Sequence, residues 1–407
     1  MKRVNVVIVG GGFGGIYTAR GLKPLIESDI VKVTIINRTN YFLFTPLLHE
    51  VATGGLTPTS VVEPIREIFR HSNVEFVQDE VKTINPETKE VGTATHSFPY
   101  DYLVISSGAE TNYYGTPGAE RNTFVLKNLG DALAIRRHLI ASCEKGSLTD
   151  DNEERKKLLS CIIVGAGATG VELAAEIMEF MSEMLCSYYK SCKFDKSLMS
   201  VSLVAASPDV LPQFPEKLRV IAEKELRHDG IKVMTNMKVT SVDPGKITFS
   251  DGKTLEGNTI VWVAGVKPAY LNIPGSQKEE KSGRIKIDQF LRVVGNEDIF
   301  ALGDASGTLP MLAQVAAQQG QHTAKIIEAS ILGLQPIPFV FKEKGLLVSL
   351  GQWYATGKIF GITLKGPLMW WLWRTIYLFN FHSWRKRLKI ASEWTVNLFY
   401  PRDTTQI

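Results

Sequence analysis

The stretch Val4-Asn5-Val6-Val7-Ile8-Val9 runs directly into Gly10-Gly11-Gly12-Phe13-Gly14-Gly15. A run that is apolar except for Asn5 reads as a strand buried on both faces of a parallel sheet. The glycines fit G-x-G-x-x-G, with Gly10, Gly12 and Gly15 at the spaced positions and Phe13 and Gly14 between them. Gly10 permits the tight turn, and Gly12 lets a phosphate approach the backbone. Gly15 lets the next helix pack close to the strand, with its N-terminus toward that phosphate. The pattern predicts a helix from Ile16 to Leu25, and strand, glycine turn and helix in that order make the motif specific. The same order recurs ~155 residues later. There Cys161-Ile162-Ile163-Val164 leads into Gly165-Ala166-Gly167-Ala168-Thr169-Gly170 and a helix expected from Val171 to about Met184. Two such units confine the chain to the α/β class with two Rossmann-type dinucleotide-binding domains. They imply two nucleotides bound at once; one working site beside a structural relic is the alternative.

Two later strands indicate how the units are nested. Val104-Ile105-Ser106-Ser107-Gly108 closes a buried strand, and Ile299-Phe300-Ala301-Leu302 ends on Gly303-Asp304-Ala305. This arrangement resembles the two-dinucleotide-binding flavoproteins, in which the aspartate of such a Gly-Asp holds the ribityl chain of the flavin. The resemblance implies that Asp304 does so here, that the N-terminal site takes FAD, and that the second unit, inserted into the first, takes a nicotinamide nucleotide. Asp304 is equally placed to be a helix N-cap. The resemblance places Ser107 and Gly108 at the first site, and Ala264 and Gly265 with Thr169 and Gly170 at the second. Expected boundaries are 1–120 and 266–335 for the FAD domain, 121–265 for the inserted domain and 336–407 for a C-terminal region.

The electron acceptor follows from what is missing and what is present. Cys143, Cys161, Cys186 and Cys192 form no CxxC pair and no metal-ligand spacing, so they read as reduced thiols. Disulfide reductases and sulfide:quinone oxidoreductases of this fold need redox cysteines that are not in place here. Three stretches resemble the type II NADH:quinone oxidoreductases. Phe44-Thr45-Pro46-Leu47-Leu48-His49-Glu50-Val51-Ala52-Thr53-Gly54 is similar to their flavin-contacting loop, and Thr169-Gly170-Val171-Glu172-Leu173-Ala174 to their nicotinamide loop. Ala313-Gln314-Val315-Ala316-Ala317-Gln318-Gln319-Gly320 matches their AQxAxQxG quinone signature. On a helix Gln314 and Gln318 are i,i+4 neighbours, and two amides there can donate to quinone carbonyls without adding charge. The resemblance gives Glu172 a role in hydride and proton traffic; the plain reading is an acid on the first helical turn, stabilised by the helix dipole.

The chain departs from that pattern twice. After Val33-Thr34-Ile35-Ile36 the ribose-binding acid is replaced by Asn37, followed by Arg38. After Val201-Ser202-Leu203-Val204 stand Ala205, Ala206 and Ser207 where a glutamate is expected. Losing that acid removes a ribose contact and also the repulsion against a 2′-phosphate, so NADPH joins NADH as a candidate.

Charge singles out the C-terminus. The net charge is +4, yet residues 365–402 hold seven basic side chains against Glu393 alone, which leaves the remainder negative. Basicity confined to one end points to an anionic surface, not a nucleic-acid groove. Pro367 to Phe381, with Trp370, Trp371 and Trp373, would make a helix ~22 Å long, too short for a ~30 Å hydrocarbon core, and Arg374 lies in its middle. From Leu388 to Phe399 the pattern places Leu388, Ala391, Trp394, Thr395 and Leu398 on one face, with Lys389, Glu393 and Asn397 away from it. The tail therefore reads as an in-plane amphipathic membrane anchor, separable from both Rossmann units, with Arg385 lining quinone access from the lipid. A dimer-forming or core helix is the competing reading. The N-terminus enters a strand at once, with no signal peptide expected. Together these readings describe a monotopic flavoprotein on the cytoplasmic face of the inner membrane. Its acceptor would be a membrane quinone, its partners an anionic bilayer surface and a second copy in a homodimer, and it would carry no metal. Against it stand a soluble FAD-dependent reductase with another acceptor, and a degenerate flavoprotein serving as redox sensor or scaffold.

Overall fold

Val4–Val9 does form a strand, at the centre of a five-stranded parallel sheet. The computed structural model describes residues 3–189, 196–269 and 271–406, and Cys192 lies outside the described residues. In chain order the strands used below are β1 (Val4–Val9), β2 (Val31–Asn37), β3 (Val74–Gln78), β4 (Tyr102–Ile105), β5 (Ser160–Val164) and β6 (Ser200–Val204). They continue with β7 (Lys232–Met234), β8 (Thr259–Trp262), β9 (Ile299–Ala301), β10 (Gly345–Ser349), β11 (Ala355–Ile359) and β12 (Ile362–Gly366). The helices are α1 (Phe13–Gly21), α2 (Leu48–Ala52), α3 (Leu129–Leu148) and α4 (Ala168–Tyr188). After them come α5 (Glu216–His228), α6 (Ala313–Leu332), α7 (Pro367–Phe379) and α8 (Trp384–Val396). Helices α1 and α4 each begin three residues before the expected start, because the glycine turn itself supplies the N-cap, Gly12 in one and Gly167 in the other.

The chain forms two compact units. The first comprises Met1–Leu43, Val62–Glu110 and Val266–Glu343. Its sheet has the order β9-β4-β1-β2-β3, all parallel, with Phe300 opposite Val104 and Val9 opposite Ile36. Strand β9 thus completes a sheet begun nearly 300 residues earlier in the sequence. Strand order reverses at β1, the place where open α/β sheets bind ligands. Helix α6 packs along α1, and Gly320 permits it: a Cβ there would sit 2.3 Å from the Gly14 carbonyl oxygen.

The second unit comprises Phe44–Val61, Thr111–Gly265 and Lys344–Ile407. Its parallel sheet has the order β7-β6-β5-β8, and an antiparallel sheet β10-β11-β12 precedes α7 and α8. The boundaries differ from expectation at residues 44–61 and 344–407, which share this unit with the inserted Rossmann sheet. The tail is therefore not separable. Trp370, Trp373 and Trp394 are buried, as are Met369, Phe381 and Ile390. Arg374 is stacked between two of those rings, 3.7 Å from the Trp370 centroid and 4.9 Å from that of Trp394.

The face reading of α8 is also corrected. Leu388 is exposed, while Glu393 accepts hydrogen bonds from the Thr57 backbone N–H at 3.0 Å and the Ser60 hydroxyl at 2.8 Å. Asn397 Nδ2 donates to the Gly55 carbonyl at 2.7 Å. Helical periodicity identifies a polar face, but it does not reveal that a loop at residues 55–60 supplies both donors and an acceptor for it. Among the described residues, no helix is long and apolar enough to cross a membrane.

Candidate active site

The two glycine turns are built alike. In the first, the Gly10 N–H donates to the Ile36 carbonyl at 2.9 Å, and a Cβ on Gly15 would lie 2.0 Å from the Gly10 carbonyl oxygen. In the second, the Gly165 N–H donates to the Val204 carbonyl at 2.8 Å, and a Cβ on Gly170 would lie 1.8 Å from the Gly165 oxygen. Gly10 and Gly165 have φ of 107° and 115°, values that exclude other side chains. Packing and backbone thus account for these four. They do not account for Gly12 and Gly167, whose φ values of −86° and −73° suit any residue and whose Cβ would meet nothing within 4 Å. Bare backbone in that place leaves room for a flat polyphosphate to approach. Neither α1 nor α4 has a side-chain cap or an acid in its first turn, so each presents the positive end of its dipole uncompensated.

Around the first turn, Asn37 does not stand free. Its Oδ1 accepts from the Gly11 N–H at 3.0 Å and its Nδ2 donates to the Thr39 carbonyl at 2.8 Å, so the amide braces the turn, while Arg38 is exposed. The Ser107 hydroxyl oxygen is buried without a protein partner, and Gly108, at φ 73°, has open space where a Cβ would be. Two residues that sequence reasoning missed fix the Gly303-Asp304 turn. Gln319 Oε1 accepts from the Gly303 N–H at 2.6 Å, and Arg284 donates to the carbonyls of Gly303 at 3.0 Å and Leu309 at 2.7 Å. Burial depresses the Arg284 pKa, against the pull of Asp304 and Glu279. Ala313 opens α6. Gln318 turns its amide to the backbone of Lys342, donating to the carbonyl at 2.9 Å and accepting from the N–H at 3.2 Å. A bare Ser hydroxyl, a backbone cradle and a fixed aspartate suit FAD.

In the second unit, Ala264 packs against Gly165, and Gly265 against the Tyr114 ring. Ala205 is buried, and the turn beyond it holds an ion pair between Asp209 and Arg219, the latter from α5. Thr45, Pro46 and Leu47 form a 3₁₀ turn leading into α2. Cys143 and Cys161 are buried, and burial pushes the Cys161 thiol up to about 12, as an inert packing residue requires.

Glu172 lies on the second turn of α4, as its fifth residue, not on the first, so the dipole does not explain it. It is buried, and its Oε1 accepts from the Ser349 N–H at 3.2 Å. His49 Nδ1 stands 3.7 Å from its Oε2. Burial lowers the His49 pKa to about 4. Burial, reinforced by Glu176 and Glu50, raises that of Glu172 to about 8. Near pH 7 the pair is thus a neutral imidazole beside a carboxylic acid that holds its proton. Further acids surround it. Glu50 accepts from Trp394 Nε1 at 2.6 Å, and burial raises its pKa to about 7. Glu179 accepts from the Gln352 N–H at 2.6 Å, with its pKa raised by burial to about 7 as well. Glu176 differs: burial opposes its charge, but Arg402 at 2.8 Å, together with His49 and Arg374, outweighs that and lowers its pKa. Glu172 stood out in the sequence, and His49 and Glu50 were picked up only as part of the loop stretch, with no role of their own, whereas Glu176 and Arg402 were not singled out. The i, i+4, i+7, i+11 spacing of Glu172, Glu176, Glu179 and Glu183 on one helix was the signal that could have found the acids.

Two nucleotide cradles on parallel sheets, one with a Gly-Asp turn and the other followed by a helix bearing a buried protonated acid, define an oxidoreductase of the two-dinucleotide-binding class. Residues 4–320 match the family described as pyridine nucleotide-disulphide oxidoreductase, and residues 344–403 match the NDH2 C-terminal domain. The chain belongs to that family and, within it, to the type II NADH:quinone oxidoreductases. It is 31% identical, over 100% of its length and 86% of the relative's, to the mitochondrial internal alternative NAD(P)H-ubiquinone oxidoreductase A1 of Arabidopsis thaliana. With the type II NADH:quinone oxidoreductase Ndh of Mycobacterium tuberculosis it shares 30% identity over 98% of the chain and 89% of the relative. Among solved structures, NDH2 of Plasmodium falciparum in complex with NADH has the same fold, with a TM-score of 0.90 at 23% identity, covering 99% of this chain and 100% of that one. The enzyme is thus an NADH:quinone oxidoreductase that uses FAD and NADH.

Proposed function

We propose that this chain is a monotopic enzyme of the cytoplasmic membrane face that oxidises NADH, with weakened exclusion of NADPH, and reduces a membrane quinone without pumping protons. FAD, when bound, accepts hydride from the nicotinamide and supplies two electrons to the quinone. In the first unit Gly12 and the α1 N-terminus would hold its pyrophosphate, with Ser107, Gly108 and Asp304 toward the rest of the cofactor. In the second, Gly167, Thr169 and Gly170 would hold the nicotinamide nucleotide. Glu172, protonated near neutral pH, is the group that would give and recover a proton as charge moves. Gln314 would present its amide to the quinone carbonyls, and Gln318 the second hydrogen of Nε2, the first being given to the Lys342 carbonyl. The observation that carries this reading is Glu172: a buried acid kept neutral beside a neutral histidine, on the helix that opens at the second cradle.

Membrane attachment rests on exposed apolar surface. Among the described residues, 11 of the 20 exposed large hydrophobic side chains fall between Trp353 and Tyr400, including Leu368 at 71% and Phe399 at 77%. Arg385 is exposed beside Trp384 and would stand at the lipid surface where quinone enters. Two of the seven basic residues, Arg374 and Arg402, turn inward, so apolar insertion should outweigh charge in holding the protein. Sedimentation with anionic liposomes tests this. Leu368→Ser combined with Leu388→Ser and Phe399→Ser should release the protein, whereas high salt should release the parent only in part. Equal sedimentation of parent and triple variant would refute the anchor and leave these side chains to a homodimer contact.

A further inference from the structure

The neighbourhood of Glu172 is reached by the last residues of the chain. Beyond α8, residues 397–403 fold back across their own unit. Asn397 holds to the Gly55 carbonyl at 2.7 Å, the Arg402 N–H donates to Glu183 at 3.1 Å, and Arg136 Nη2 donates to the Asp403 carbonyl at 2.6 Å. The strap delivers one side chain inward. Arg402 is 8% exposed and donates through Nη1 to Glu176 at 2.8 Å, through Nη2 to Glu179, and stands with Nε 3.6 Å from Glu183. The Thr53 hydroxyl, 3.2 Å from both Glu176 Oε2 and Arg402 Nη1, closes the group.

Four acids on one helical face cannot all ionise in a buried site without a cation, because desolvation and mutual repulsion both oppose it. Arg402 answers three of them. Glu172 is not one of its hydrogen-bond partners; the neighbours of that carboxyl are the Ser349 N–H and the His49 ring. The charged and titratable groups facing this site come from several elements. His49 and Glu50 belong to α2, Glu176 and Glu179 to α4, and Arg374 and Tyr377 to α7, while the strap contributes Arg402. Arg402 is the leading support for the charge of both Glu176 and Glu179. Of these two, Glu176 is the one held below the ordinary carboxylate range and the one whose charge bears on Glu172.

We propose that Arg402 is a positioning residue for Glu172: it holds Glu176 in place and in its anionic form, and that carboxylate sets how firmly Glu172 keeps its proton. The inference rests on the proton-handling role given to Glu172 above. It agrees in direction with the lowered Glu176 pKa and the raised one of Glu172, to which burial contributes first and the Glu176 charge adds. Removing the guanidinium lets Glu176 take up a proton. Its negative charge then disappears from beside Glu172, and Glu172 ionises more readily.

The test reads Glu172 directly in the full-length, FAD-loaded protein. The infrared carboxylic-acid band that vanishes in Glu172→Gln is titrated with pH in the parent, in Arg402→Met and in Glu176→Gln. Both variants should move its midpoint to lower pH by similar amounts, on the order of one pH unit, and Arg402→Lys should keep most of the parent midpoint. A midpoint that stays put or rises in Glu176→Gln overturns the proposal. Should Arg402→Met fail to fold, Glu176→Gln, nearly identical in shape, decides the matter together with Arg402→Lys. Unchanged quinone turnover in Glu172→Gln would instead refute the role of Glu172, whatever the band does.

Discussion

The two glycine turns share their geometry to within tenths of an ångström, yet the helices that follow them differ in kind. Helix α1 carries no acid on its length and packs its Gly14 surface against Gly320 of α6. Helix α4 carries Glu172, Glu176, Glu179 and Glu183. Tyr17 in α1 stands where α4 has Glu172, seven residues after the first motif glycine in each. Phosphate binding needs only backbone, so it can be repeated without repeating a side chain. Proton chemistry needs a group whose pKa burial has moved toward neutrality, and that depends on what is packed beyond the turn.

One pair of substitutions should separate the two helices most sharply. Glu172→Gln should lower NADH:quinone turnover by ~10²-fold without loss of bound FAD, whereas Tyr17→Phe should leave turnover close to that of the parent. Similar losses in both would erase the distinction. The same variant has a stability signature. Glu172 is raised from 4.5 to about 8 in the folded state, so its contribution is complete below pH 4.5 and is lost as pH climbs through about 8. Glu172→Gln has nothing to ionise, and its Tm should exceed the parent's above that range and approach it in mild acid.

Effects in the first unit should be more moderate. Gln319→Leu leaves the buried Gly303 N–H without its acceptor, at a cost of ~1–3 kcal/mol. The flavin should be released at lower temperature, as its fluorescence on heating would report; an unshifted release would show that Arg284 alone holds the turn. Gln318→Leu is expected to cut quinone turnover by about tenfold, the loss of roughly one hydrogen bond, while bleaching of the flavin by NADH in stopped flow stays near that of the parent. Bleaching that fell as far as turnover would remove Gln318 from the quinone site. Back in the second unit, a weaker response is expected at Ala205. Ala205→Glu restores an acid at the end of β6 and should sharpen preference for NADH over NADPH by a few-fold, about 1 kcal/mol. No change on steady-state comparison of the two nucleotides would assign discrimination to the Asp209–Arg219 pair instead.

Much of this was legible in the residues alone. Local rules were enough for the glycine turns, since a positive φ at Gly10 and Gly165 and the contact of Gly15 and Gly170 with the preceding turn are set within six residues. The buried strands and the completion of the first sheet by Ile299–Ala301 were legible for a similar reason: apolar runs before Gly-rich turns have few other places to go. The tail was read only in part. Its tryptophans marked an amphipathic segment, but three of them are core, and periodicity cannot tell a face that meets lipid from one that meets its own sheet.

The order of residues was therefore sufficient for the pair of dinucleotide cradles, because their shape is backbone chemistry that a handful of adjacent glycines dictates. It was not sufficient for the state of Glu172, which depends on the folded chain. The proton there is held by burial and by the charges of Glu50 on α2 and Glu176 on α4, groups 126 positions apart in the chain. Electrostatic energy depends on distance through the fold, and no spacing along the sequence carries that distance.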